Sequence, residues 1–401
     1  MTDMPRHGDR AEAVEDAEPS GPLAGMLIIE LAGLGAAPFA GMMLADHGAT
    51  VVQIERVGNA RPVPDLLSRS RMKIEVDLKA ASGVGLVRDL CRHADGFIEG
   101  FRPGTTERLG LGPDILLTDN PRLVYGRMTG WGQSGPLAPR AGHDINYIAL
   151  SGVLGMIGEA ERPPFAPANL VADFGGGGML LAFAMLAGIL NARETGRGQV
   201  VDCAMVDGAA ILTTFIWSLM AQGRWIDARA ANLFDGGAHF YRAYETADGK
   251  AIVLGALEPQ FYACLRDKLG ITDDPRFDAQ LDREAWPVLG ERLAEIFRTR
   301  TRAEWCALLE EVDACFAPVL SLTEAPAHSH NIARGTFIEV DGVAQPAPAP
   351  RFSGTRLAAP RLNGGNRRLR DLLSKAGYDS ARIEALTAAG AVGPISRVEE
   401  A

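Results

Sequence analysis

Apolar positions along the chain fall into short runs separated by glycine- and proline-bearing turns, and the spacing within each run predicts its element. Met26–Leu31 is a short, mostly apolar run. It is followed by Ala32-Gly33-Leu34-Gly35-Ala36-Ala37-Pro38, a helical pattern over Phe39–His47 and a second run, Val51–Glu55. That order reads as strand, glycine turn, helix, strand. Val76–Lys79 leads into a helix over about Gly83–His93, and strands follow at Phe97–Gly100 and Leu123–Met128. After Asp173 an apolar helix runs to about Asn191 and closes in Thr195-Gly196-Arg197-Gly198, a C-cap signal. Gln199–Cys203 reads as a strand and Met205–Met220 as another largely apolar helix. Strands alternating with helices predict an α/β fold with a parallel, Rossmann-like sheet.

The pattern changes near Arg229. His239–Thr246 and Lys250–Gly255, joined by Ala247-Asp248-Gly249, form an expected hairpin. Amphipathic helices follow at about Pro259–Leu269, Trp286–Phe297 and Arg302–Val312, giving a smaller α+β unit. From Pro318 the chain is proline-rich, with Pro326, Pro346, Pro348 and Pro350, and little regular structure is expected before helices at Asn366–Ala376 and Ser380–Ala389. The expected division is a disordered tail 1–21, a large α/β domain 22–222, a small α+β domain with linkers 223–330, and a C-terminal segment 331–401.

Composition narrows the function class. A hydrophobic content of 47% with 22% charged residues is ordinary for a globular protein with a good core. The net charge of −10 argues against a general nucleic-acid binder, which needs a basic face, and leaves room for a local basic pocket. The five cysteines are odd in number, scattered and never CxxC, so reduced thiols, a cytoplasmic location and no metal site are expected. Residues 1–21 lack the apolar stretch of a signal peptide. The run Gly175–Leu190, 16 residues and studded with glycine, is too short to span a bilayer; it reads as a buried core helix, and no membrane role is expected.

Candidate chemistry lies in three places. The Gly33-Leu34-Gly35 turn resembles part of a dinucleotide fingerprint, but Pro38 stands where a third glycine belongs, so a plain βαβ start is favoured. His143, in Gly142-His143-Asp144-Ile145-Asn146-Tyr147, and Asp173, ahead of the glycine run Gly175–Gly178, each stand at a loop leading into a helix-like run. A neutral imidazole accepts a proton and a protonated carboxyl donates one, so a convergent pair would be a two-base site. The alternative is two helix caps. Basic residues in and around loops after strands, Arg56, Arg61, Arg69, Arg71, Lys73, Lys79, Arg102 and Arg108, suit a phosphate-rich ligand; the alternative is a solvated basic face.

Gly142–Leu154 and Asn169–Gly178 resemble the signature of α-methylacyl-CoA racemases, within the family III CoA-transferase superfamily, and the likeness runs from about Leu23 to about Ser353. The resemblance implies a racemase or epimerase of 2-methylacyl-CoA thioesters, an enzyme of lipid metabolism working by 1,1-proton transfer through an enolate. His143 and Asp173 would carry the protons, the Asp144 backbone N–H would meet the enolate oxygen, and Glu258 would pair with the histidine. Glu258 could instead be an acidic cap before Pro259. Arg56, Arg69, Lys79, Arg102 and Arg108 would hold the nucleotide end of coenzyme A, which enters as part of the substrate, with no cofactor besides. The superfamily further implies an interlocked homodimer in which the end segments return to the large domain. The rival within it is a CoA transferase using Asp173 as nucleophile; another, of a different class, is a non-catalytic acyl-CoA binding protein.

Overall fold

The computed structural model describes residues 20–58, 65–362 and 366–395; most of the tail 1–21, and Arg61, lie outside them. The chain divides into two compact units. Unit 1 takes residues up to Tyr147, then Asn169–Ala209, then Phe337 onward, and unit 2 takes Ile148–Ala168 and Ala210–Thr336.

Unit 1 opens with β1 (Leu27–Leu31), α1 (Ala36–Asp46) and β2 (Thr50–Glu55). A 3-10 turn (Leu66–Ser68) precedes β3 (Met72–Glu75), and α2 (Ala81–Cys91), β4 (Gly96–Glu99), α3 (Thr105–Arg108), α4 (Pro113–Asp119) and β5 (Val124–Thr129) follow. Next come α5 (Asp144–Leu150), a π-helix (Leu170–Met179) continuous with α6 (Leu180–Thr195), then β6 (Gln199–Ala204) and α7 (Met205–Leu212). The six strands form one sheet in the order β3-β2-β1-β4-β5-β6, with every pairing parallel. This is the doubly wound arrangement, in which the chain reverses direction across the sheet between β1 and β4 and leaves a crevice outside the carboxyl ends of the strands.

Both faces of the sheet are covered, which is why its strands read as nearly unbroken apolar runs. Ile29, Val52, Phe97 and Tyr125 point into one core. Ile28, Val51 and Ile98 point into the other, where Leu181, Met185 and Ile189 of α6 meet them. The period of two along β1 and β2 thus assigns alternate residues to opposite cores. Helix α6 lies so close to β5 that a methyl group at Gly126 would stand 2.6 Å from the Met185 sulfur.

Unit 2 contains α8 (Thr214–Ala221), β7 (Tyr241–Glu245), β8 (Ala251–Gly255), α9 (Pro259–Leu269), α10 (Trp286–Phe297), α11 (Arg302–Leu309), β9 (Phe316–Pro318) and α12 (Ser329–Arg334). Strands β7, β8 and β9 form an antiparallel sheet, with Tyr241 opposite Gly255. Its core is largely aromatic, built from Phe240, Tyr244, Tyr262, Phe277, Trp286, Phe297 and Trp305. The remaining elements are the hairpin β10 (Phe337–Val340) and β11 (Val343–Pro346), α13 (Asn366–Lys375) and α14 (Ser380–Ala388). Leu369, Leu373, Tyr378 and Val392 of this last stretch pack into the first core of unit 1.

Several expectations need correction. The boundary expected after residue 222 falls earlier, and Ile148–Ala168 joins unit 2. The apolar stretch 205–220 breaks at Thr213 into α7 and α8. Strand β3 lies inside a segment read only as basic, and β10–β11 inside one read as irregular; both are short, and Lys73 and Pro346 mask their patterns. The run read as a 16-residue core helix belongs to a helical stretch Leu170–Thr195 of 26 residues, long and apolar enough by length and composition to cross a membrane. It is not wholly buried: Leu181, Met185 and Ile189 are covered, whereas Met179, Phe183 and Leu190 are exposed.

Candidate active site

The Gly142–Tyr147 motif has a local structural logic at most of its positions. Tyr147 folds back so that its hydroxyl donates to the Gly142 carbonyl, and its ring meets Trp131 edge-on at 4.7 Å. Glycine is required on both sides of that ring, since a methyl group at Gly142 would lie 2.8 Å from it and one at Gly130 2.1 Å. Asn146 accepts a hydrogen bond from His143 N–H at 3.0 Å, and its own N–H returns to the His143 carbonyl at 2.8 Å. These contacts set the backbone of His143 just ahead of α5 and leave its side chain exposed. The first N–H groups of a helix have no intrahelical acceptor, so Asp144 and Ile145 start α5 with donors available.

Asp144 points the other way. Its carboxylate is buried, and Oδ2 accepts from Ala172 N–H at 2.7 Å and from Asp173 N–H at 2.9 Å. One side chain therefore joins the start of α5 to the segment carrying Asp173, across 28 residues of sequence. The side chain of Asp144 is thus structural.

Asp173 stands not in a loop but in the first turn of the π-helix. Such segments are rare and recur at functional sites. Three glycines make the close fit. A methyl group at Gly176 would lie 2.6 Å from Ala209 N, one at Gly177 3.0 Å from Met205 Cγ, and one at Gly178 2.8 Å from the Ala36 carbonyl. The glycine run thus lets the π-helix pack against α1 and α7. Phe174 meets Phe39 of α1 edge-on at 5.0 Å.

The Asp173 carboxyl is half-buried and sits between two neighbours. Asn169 Nδ2 donates to Oδ2 at 3.1 Å. Gly35, which precedes α1 with φ of 70°, has no side chain, and a methyl group there would lie 3.6 Å from the same oxygen. Burial pushes the Asp173 carboxyl above its ordinary range; the Asn169 amide opposes that, the Asp144 carboxylate adds to it, and the charge of His143 opposes it. The two candidate proton carriers therefore share one electrostatic environment. Tyr147 feels it as well: burial, then the carboxylates of Asp173 and Asp144, push its hydroxyl up to about 12, which keeps it a neutral hydrogen-bond donor.

The basic candidates separate into two kinds. Arg56 follows β2, Lys79 follows β3, and Arg102 and Arg108 follow β4; all four are exposed at the carboxyl-end side of the sheet. Arg69 differs. It is buried, its Nε donates to Asp46 Oδ1 at 3.1 Å, and its Nη1 reaches Gln345 Oε1 and the Pro346 carbonyl, each at 2.8 Å. Its guanidinium is committed to holding the β10–β11 hairpin, which corrects its assignment to a phosphate. Arg71, grouped with the basic loop residues in the sequence, is fully buried against Glu30.

Glu258 belongs to unit 2. It is the N-cap residue of α9, exposed, and makes no side-chain cap hydrogen bond, so its carboxylate is uncommitted to that helix. Sequence reasoning missed Gly35 as a neighbour of Asp173 and Asp144 as its anchor. The signal for Asp144 was present in the motif; that for Gly35 was a turn glycine after β1. No cluster of three metal-ligating side chains occurs among the described residues.

The doubly wound sheet agrees with comparison to known proteins. A profile of the CoA-transferase family III matches residues 23–366, and the chain belongs to that family. Within it, the chain is 45% identical over 335 residues to alpha-methylacyl-CoA racemase of Mus musculus, a match covering 83% of this chain and 87% of the mouse protein. It is 44% identical over 334 residues to the Homo sapiens alpha-methylacyl-CoA racemase, with the same coverage of 83% and 87%. Among solved structures, a CAIB/BAIF family protein from Brucella suis superposes with a TM-score of 0.74 at 25% identity, covering 88% of this chain and 100% of that one.

Proposed function

We propose that this chain is an isomerase that inverts the configuration of 2-methylacyl-CoA thioesters by 1,1-proton transfer. The observation that carries the reading is the Asp144 carboxylate, which anchors the N–H groups of Ala172 and Asp173 beside the start of α5 and so holds two acid/base groups in one assembly.

For a substrate of one hand, neutral His143 removes the proton next to the thioester carbonyl, the C–H electron pair moves into the enolate, and protonated Asp173 returns a proton to the opposite face. For the other hand the roles exchange. The raised proton affinity of Asp173 favours its neutral, donating form. The enolate oxygen is stabilised by the Asp144 N–H, an unpaired donor at a helix start. A proton leaves and a proton returns to the same carbon, so the reaction as written needs no redox or metal step. Coenzyme A arrives with the substrate, and Arg56, Lys79, Arg102 and Arg108 meet its nucleotide phosphates.

The working form is an interlocked homodimer in which Glu258 of the partner subunit orients His143. Exposed apolar residues support an assembly: Phe183 and Leu190 on α6 in unit 1, and Phe215 and Trp217 on α8 in unit 2. We assign the α6 face to a second copy rather than to a bilayer; sedimentation of a Phe183→Glu variant as a dimer would count against this. Five free thiols support a cytoplasmic location, which fractionation of the source cells would check.

The decisive experiment is α-proton exchange. A single-handed 2-methylacyl-CoA in deuterated water should gain deuterium with inversion, and His143→Ala and Asp173→Ala should each lose about a thousandfold in rate. Transfer of CoA to an added carboxylate, with only Asp173→Ala inactive, would replace the racemase by a transferase.

A further inference from the structure

Beneath the loop that touches Asp173 lies a buried charge pair to which the proposed reaction assigns no role. Arg71 and Glu30 are both fully buried, with Nη2 3.1 Å from Glu30 Oε2. Gln53 Nε2 donates to Glu30 Oε1 at 3.0 Å. The other guanidinium bonds go to backbone: Nη1 donates to the Leu67 carbonyl and Nη2 to the Pro38 carbonyl. The sequence makes space for this arrangement at Gly41, where a methyl group would stand 1.8 Å from Glu30 Oε2 and 2.6 Å from Arg71 Nη2. A buried ion pair is a weak source of net stability, because removing both charges from water costs about as much as their attraction returns. What it supplies is direction.

We propose that Arg71, held by Glu30, is a positioning residue for Asp173. The guanidinium fixes the first turn of α1 through the Pro38 carbonyl. That turn carries Gly35, whose Cα faces the Asp173 carboxyl, and Ala36 and Phe39, against which Gly177, Gly178 and Phe174 of the π-helix pack. The chain of contacts runs from β1 through α1 to the proton carrier with rigid groups at each step. Loss of the clamp would let α1 and the π-helix shift together, and a displacement of about 1 Å can cost a reaction up to a hundredfold.

The inference rests on the racemase reading for its kinetic test, so a readout independent of activity accompanies it. Glu30→Gln/Arg71→Met removes both charges and leaves neither unpaired. Gly41→Ala displaces the pair without changing any charge. Arg71→Lys keeps the charge for Glu30 but loses the forked geometry that serves two carbonyls. In each, kcat for α-proton exchange should fall about tenfold with KM within about twofold. Amide hydrogen exchange should speed up at 33–39 and 170–179 while unit 2 stays as protected as in the wild type. Recovery of full kcat by Arg71→Lys would point to charge balance alone and overturn the positioning role. So would wild-type kcat in a folded double variant, or unchanged protection at 170–179. If the double variant does not fold, Gly41→Ala and Arg71→Lys are read in the same way. If the wild type itself shows no exchange, the racemase reading falls, and protection at 170–179 alone decides the positioning role.

Discussion

Unit 1 and unit 2 hold their shapes by different means. Unit 1 buries charge: Glu30 with Arg71, Asp46 with Arg69, and Glu99 with Arg127. Each of these arginines also ties down a neighbouring segment. Arg71 holds α1 and the 66–68 turn, Arg69 holds the β10–β11 hairpin, and Arg127 reaches Glu107 in the segment that bears Arg102 and Arg108. Unit 2 buries rings, and its core histidine, His239, sits among Phe240, Tyr262 and Phe277 with Nε2 2.7 Å from the Tyr262 hydroxyl. The difference follows from what each unit holds in place. Apolar packing is non-directional and fixes a core. Forked hydrogen bonds are directional and fix where a loop stands. Unit 1 carries His143, Asp173 and the four exposed cationic residues, and its arginine pairs are buried, whereas the forked pairs of unit 2, Arg302 with Glu324 and Arg276 with Asp274, lie nearer the surface.

The comparison is most easily broken at Arg69. Arg69→Met leaves Asp46 buried with 3% of its side chain exposed and no counter-charge, and should cost about 3–5 kcal/mol in urea unfolding. Asp46→Leu/Arg69→Met should regain most of that. A loss under about 1 kcal/mol in the single variant would mean that the buried charges of unit 1 do not organise it.

Unit 2 should answer to acid instead. Burial pulls the His239 imidazole down from 6.5 to about 4, so as pH falls the unfolded chain takes up the proton first. The stability associated with neutral His239 is complete above about pH 6.5 and is lost as pH falls through about 4, amounting to about 3 kcal/mol at most. Four of the five tryptophans, Trp217, Trp225, Trp286 and Trp305, lie in unit 2, so fluorescence-detected urea unfolding between pH 7 and 4 reports mainly on it. His239→Gln should flatten that slope; an identical slope would assign the acid sensitivity elsewhere.

The smallest effect is expected at Glu258. It is exposed and makes no cap bond, so Glu258→Gln should leave the unfolding midpoint within about 0.5 kcal/mol of wild type. The same change should lower kcat for exchange about tenfold, because a carboxylate that orients an imidazole acts on proton transfer and not on folding. Unchanged kcat would remove Glu258 from the reaction.

Much of this arrangement was legible before any coordinates. The alternation of strand and helix runs up to residue 204 announced the parallel sheet, because strands buried on both faces must be apolar throughout. The glycine turn after β1, the Gly196 cap and the hairpin around Asp248-Gly249 were local signals, written in residues a few positions apart. The His143 and Asp173 motifs were legible for the same reason. The sequence could not say which arginines face water. Arg69 and Arg71 stand two positions apart in a polar stretch with Lys73 between flanking charges, yet both are buried, one of them against Gln345, 276 residues away.

What the sequence determined by itself, then, was the alternation of strand and helix in unit 1, the sheet type and the candidate residues for moving a proton, since each depends on periodicity or on side-chain chemistry within a short window. The tertiary structure decided the rest. It set Asp173 in a π-helix and Gly35 against its carboxyl, turned Asp144 into the link between the two proposed proton carriers, and divided the cations into those that hold the fold and those left exposed. Those outcomes depend on which distant segments come within 3 Å of one another, and that is fixed by the packing of the whole unit.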